Sequence, residues 1–194
     1  MNHSTTAADV LDFWFQGDPA TWRTDPWFRR NDAFDVEIRD RFTTVVQAAQ
    51  DGILDPWTAT PEGTPEGTLA LVLVLDQFAR NIHRGSHLAF AGDAHARRLA
   101  RAAIEQGAET HLTPAQRVFL YLPFEHSEDV SDQDLSVRLF ESLPPTEWRD
   151  SVVDYAHRHL DVIRQFDRFP HRNAALGRDS TPEEQAWLDA GGGF

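Results

Sequence analysis

Residues 73–84 read LVLDQFARNIHR, and the chemistry changes abruptly within them. An apolar run turns directly into Asp76, Gln77, Arg80, Asn81 and Arg84. On a helix Asp76 and Arg80 share a face, Gln77 and Asn81 share the adjacent one, and Arg84 sits below them. Buried polar groups need hydrogen-bond partners. Five such side chains at the edge of a core segment therefore point to the wall of a polar pocket. The plainer alternative is an ion pair on a solvated helix end.

Two more stretches carry the same promise. In YLPFEHSED, residues 121–129, Glu125 stands beside His126, a pairing suited to general acid–base work,. Ser127, Glu128 and Asp129 come directly after, and the plainer reading is a capped acidic loop. Pro123 is expected to interrupt or kink the helical pattern. In residues 157–184, His159 lies on a long helix that should stop before Phe169-Pro170,. His171, Arg172, Asn173 and Arg178 come next. Arginine grips a carboxylate or phosphate through two donors, so this loop suits an anion. Alternatively it only fastens the last helix to the body.

The chemistry is assigned accordingly. His126, Glu125 and His171 are the candidate acid–base residues. Asp76, Gln77, Arg80, Asn81, Arg84, His159, Arg172 and Asn173 are the candidate ligand contacts. The three stretches are expected to share one sheltered hollow that takes a small anionic molecule or a peptide carboxylate. No His-Glu-x-x-His or Glu-x-x-His spacing occurs, so no metal is expected. No cofactor is expected either.

Helices must position these residues. VLDFWF, residues 10–15, reads as a short first helix, with a loop over 17–28 after it. Phe34, Ile38, Phe42, Val45, Val46 and Ala49 recur at helical spacing, with Gly52 where a C-terminal cap belongs. Residues 55–67 form a Pro/Gly-rich connection. Thr64-Pro65, Thr113-Pro114 and Thr181-Pro182 each resemble a helix start, threonine capping and proline filling the first turn. Gln116 and Glu184 fit the capping-box spacing. An amphipathic helix ends at Gly107, another runs from Ser131 through Phe140, and a long one spans 146–166. Trp14, Phe15, Trp27, Phe28 and Trp57 are expected in the core. No segment alternates as a strand does. The expectation is a single all-α domain, 1–194, of about eight helices with antiparallel neighbours.

Composition narrows the classes. The 194 residues carry 18 Lys and Arg against 31 Asp and Glu, a formal charge of -13. That balance argues against nucleic acid as partner. Without cysteine, disulfides and thiolate chemistry are excluded. No apolar run reaches the ~20 residues of a membrane helix. The N-terminal stretch has no signal-peptide pattern. A cytoplasmic protein with no membrane partner is expected. The oligomeric state is not legible.

LALVLVLDQFARNIHRGSHLAFAGDA, FLYLPFEHSEDVSDQ and RFPHRNAALGR together resemble an uncharacterised bacterial family of about this length. The resemblance covers nearly the whole chain. It implies an all-helical fold similar to tetratricopeptide-repeat superhelices, and no established reaction. It also implies functional weight for the residues already named, together with Arg168, Pro170 and Arg178. This chain departs from the family's pattern with Ala79 for proline, Gly92 for threonine and Asp167 for glycine. Asp167 is expected to weaken the anion loop or to re-pair Arg168. A tetratricopeptide-like peptide-binding scaffold is the competing function.

Overall fold

A computed structural model of the chain describes residues 5–58 and 65–194. The described residues are 72% helical, and no strand occurs among them. The α-helical segments are α1 (Ala7–Phe15), α2 (Thr24–Trp27), α3 (Asp32–Gln50), α4 (Pro65–Leu73), α5 (Ala79–Ile82), α6 (Asp93–Glu105), α7 (Pro114–Glu125), α8 (Val130–Glu141), α9 (Arg149–Phe166), α10 (Asn173–Leu176) and α11 (Pro182–Asp189). Against the expected eight or so, the additions are single turns such as α2, α5 and α10. Segments that short carry no periodicity to read. No helix among the described residues is long and apolar enough to cross a membrane.

Contacts gather the chain into two compact units. The first draws on Met1–Arg84 and Leu88–Pro123, the second on Gly85–His87 and Phe124–Phe194. In the first unit α4 packs on α1 and α6, and α3 lies against the stretch after α4. Leu69 to Leu75 are fully buried. Each such aliphatic side chain contributes about 1.5–3 kcal/mol of burial energy, so this helix anchors the unit. Trp14, Phe15 and Trp27 join it in the core, as expected. Phe28 and Trp57 do not: Phe28 is 41% exposed and Trp57 is half-buried. Phe28 instead stacks on Trp22 with ring centroids 5.3 Å apart.

α4 does not simply continue into α5. Val74–Phe78 is a π turn between them, closed by the Ala79 N–H on the Val74 carbonyl. Such turns insert one residue into a helix and rotate its next turn, and they occur often at functional sites. Asp76 and Gln77 lie inside it, both buried. Glycine at position 92 has a local reason. A Cβ on Gly92 would come within 2.6 Å of the Leu75 carbonyl oxygen, so glycine lets α6 start close against the π turn.

In the second unit α8 and α9 form the main pair. Helix starts obey the chemistry of their caps. Asp129 caps α8, its carboxylate accepting from the Ser131 N–H at 2.7 Å. Thr181 and Glu184 form a reciprocal capping box on α11. In the first unit Thr113 and Gln116 do the same for α7, at 2.9 and 3.3 Å. The Thr64 cap expected before α4 lies outside the described residues. Pro123 does not stop α7, which runs on to Glu125. α9 ends where Asp167 takes a left-handed conformation, φ +56°. Glycine adopts that conformation most readily, so Asp167 is an unusual residue there.

Candidate functional site

The polar residues of 73–84 all belong to the first unit, and their partners lie there too. Gln77 donates to the Asp76 carboxylate at 2.6 Å. Arg80 makes a two-pronged pair with Asp93, at 2.8 and 2.9 Å, and also reaches the Asp76 carboxylate at 3.1 Å. Burial opposes the guanidinium's charge, but Asp76 and Asp93 outweigh it and hold the Arg80 pKa above the ordinary arginine value. Asn81 donates to Asp35 at 2.7 Å, and Arg84 grips the same carboxylate at 3.0 Å through two nitrogens. Sequence reasoning missed Asp35 and Asp93. Asp35 lies on the buried side of α3, between Phe34 and Ile38, and a carboxylate among core positions is the signal that marks it.

Residues 124–129 and the 157–184 stretch meet in the second unit. Their centre is the ring of Phe169, which is fully buried. His159 and His171 both lie 5.5 Å from it, centroid to centroid. The Arg172 guanidinium sits over its face at 4.4 Å. His126 lies 6.3 Å from His159, and its carbonyl accepts from Arg172 at 2.9 Å. The Glu125 carboxylate is 3.5 Å from Nδ1 of His159. Glu125, His159 and Arg172 are all buried, at 4%, 5% and 6% exposure.

One backbone contact fixes the state of His159. Its Nδ1 lies 2.8 Å from the Tyr155 carbonyl, one helical turn back on α9. A carbonyl only accepts, so Nδ1 carries the hydrogen and the neutral ring keeps its lone pair on Nε2. Burial pushes the His159 pKa well below the ordinary imidazole value. The Tyr155 carbonyl opposes the shift, and the positive potential of His126, Arg172 and His171 adds to it. The site therefore contains a buried neutral base with a defined tautomer.

The remaining polar residues frame this centre. Arg178 holds Glu128 through two bonds of 2.7 and 2.9 Å, and Glu128 also accepts from the Phe169 N–H at 2.8 Å. Burial raises the Glu128 pKa, but these donors outweigh it and bring it below the usual carboxylate value. Arg168 pairs with Glu184 at 2.7 Å. Asn173 donates to Glu184 at 3.3 Å and accepts from Arg178 at 3.0 Å, so its amide ties the two ion pairs together. Ser127 donates to Asp132 at 2.7 Å. The amide of Gln133 donates to the Glu125 and Ser127 carbonyls at 2.6 and 2.7 Å, satisfying backbone groups at the end of α7. No group of His, Asp and Glu arranged to hold a metal occurs among the described residues.

The aromatic parts of the site also escaped the sequence pattern. In the sequence Phe169 stands out only as the residue before a proline. Phe194, which stacks on His159 at 3.6 Å, comes after three glycines. A glycine run that ends in a large aromatic is the available signal.

The class defined by this fold is an all-helical protein whose second unit buries an imidazole–carboxylate pair beside an aromatic hub. Within that class, the chain belongs to the family described as bacterial protein of unknown function (DUF924), which matches residues 10–192. It is also similar to the solved structure of a protein of unknown function, ATU0120, from Agrobacterium tumefaciens. The two are 40% identical over 95% of this chain and 97% of that one, with a TM-score of 0.82. No curated protein matches.

Proposed function

We propose that the second unit binds a small anionic molecule and exchanges a proton with it. The observation that supports this reading is the gathering of His126, His159 and His171 around Phe169, with Glu125 and Arg172 packed among them. Imidazoles change charge nearest neutral pH, and several in one buried place repel one another once protonated. An anion relieves that repulsion, and Arg172 supplies a permanent positive charge. His126 and His171 are half-buried, which suits groups that pass a proton between ligand and solvent. His159 presents Nε2 as a fixed acceptor. Asp76, Gln77, Arg80, Asn81 and Arg84 hold the first unit together in this reading, and Asn173 holds the second.

The test combines thermal shift with imidazole NMR, using carboxylates, phosphates and short peptides. At roughly a hundredfold excess over Kd, a ligand specific to the folded state stabilises by about 2.7 kcal/mol, several degrees in Tm. A small carboxylate or phosphate is expected to raise Tm and to move the signals of His126 and His171, with His126→Gln weakening both effects. If no small anion moves any of the three imidazole signals, the proposal fails. Binding of peptides alone would instead favour the tetratricopeptide-like scaffold reading.

A further inference from the structure

After α11 the chain runs Gly191–Gly192–Gly193–Phe194. The Gly191 and Gly192 N–H groups donate to the Leu188 and Trp187 carbonyls, both at 2.9 Å. A Cβ on Gly192 would sit 2.2 Å from the Trp187 indole, so only glycine fits against that ring. Beyond this anchor neither Gly193 nor Phe194 makes a backbone hydrogen bond among the described residues. Gly193 has φ +144°, a conformation open to glycine and rarely to others.

The Phe194 ring sits in a shaped place. One face lies parallel to His159, with an interplanar angle of 14°. Phe169 and His171 meet it nearly at right angles, at 6.1 and 5.7 Å. The Arg158 guanidinium lies 5.9 Å from its centre. A neutral stacking partner, perpendicular rings and a nearby cation are what an aromatic quadrupole prefers. Yet Phe194 remains 46% exposed. A cavity of about 260 Å³ adjoins it, lined by Arg158, Asp161, Trp187 and the tail glycines.

We infer that this slot is a binding subsite for a planar aromatic ring, that Phe194 occupies it as an internal plug, and that an aromatic carboxylate displaces the plug to bind. The carboxylate half of that ligand rests on the proposed anion site, through Arg158, Arg172 and the imidazoles. The ring half rests on the slot alone. The Phe194 ring meets His159, Phe169, His171 and Arg158, so a ligand whose ring makes the same contacts and whose carboxylate reaches the proposed anion site competes with it.

The test titrates phenylacetate, cyclohexylacetate and 2-phenylethanol into the wild-type protein, Phe194→Ala and Gly192→Ala. Binding is read by calorimetry and by the ring-current shift of the His159 protons. Emptying the slot removes the competitor, so Phe194→Ala is expected to bind phenylacetate about tenfold more tightly than wild type. Gly192→Ala keeps the plug but dislodges its tether from Trp187, and is expected to act in the same direction. The other two compounds should bind more weakly. Equal phenylacetate affinity in all three proteins, or no binding to any, overturns the plug. If Phe194→Ala binds phenylacetate and 2-phenylethanol alike, the ring subsite stands and the anion reading falls. If it binds the two acetates alike, the anion reading stands and the ring subsite falls.

Discussion

At His159 burial decides the charge state, and charge state decides a pH dependence. Glu125, His126, His171 and Arg172 all face this imidazole, and its pKa in the folded protein lies well below 6.5. As pH drops past the ordinary imidazole value, the unfolded chain takes up a proton at this position and the folded protein does not. Stability is therefore lost as pH falls through about 6.5 and below. Tm is expected to decline between about pH 7 and about pH 5, and His159→Phe should flatten that decline. An unchanged slope in the variant would mean the ring does not carry the effect. Glu184 titrates in a different window. The Arg168 hydrogen bonds, with help from the Thr181 N–H and Asn173, outweigh burial and bring its pKa from 4.5 down to about 2. Its contribution is complete above 4.5 and disappears as pH falls through about 2. Glu184→Gln should lower Tm at neutral pH, and calorimetry should show the gap to wild type closing across that lower window.

Among the elements, helix starts were legible and helix irregularities were not. Thr181 and Thr113 announce α11 and α7 because a cap is a local device: one side-chain oxygen, one nearby N–H, and a partner three residues on. Thr181→Ala is expected to cost about 1 kcal/mol, measured by denaturant unfolding, and an unchanged midpoint would show that the box does not hold α11. The π turn at Val74–Phe78 has no comparable signature, since it is distinguished by its hydrogen bonding and not by a residue type at a fixed spacing. Its presence carries Asp76 and Gln77 into the interior, where the sequence pattern pointed to a pocket wall. Asp35 and Asp93, which answer the cations of this stretch, come from α3 and α6, so no local spacing reveals them. Gly92 is the place to probe this packing. Gly92→Ala puts a methyl group against the Leu75 carbonyl and should destabilise by about 1–3 kcal/mol, the usual range for overpacking. A variant as stable as wild type would show that α6 shifts without penalty.

For the whole molecule, the -13 charge sets the outer field while local pairing sets the inner one. The stretch 157–184, with five arginines, would bind a polyanion if its guanidinium groups pointed unpaired to solvent. Most do not: Arg164 meets Asp134 at 3.1 Å, Arg168 meets Glu184, and Arg178 meets Glu128, while the exposed Arg158 lies over the Tyr155 ring. Each of these pairs neutralises a charge that phosphate-backbone binding would require. Arg172 is buried, which keeps it from a duplex. An acidic whole with paired arginines is compatible with the proposed local anion site and is expected to disfavour nucleic acid. The protein is expected to pass through a heparin column at about 0.15 M salt, where the screening length is about 8 Å, and to bind an anion exchanger at low salt. Duplex DNA should keep its mobility in its presence. Retention on heparin would show that the paired arginines open outward under a polyanion, and would shift the search for ligands from small carboxylates to polymers.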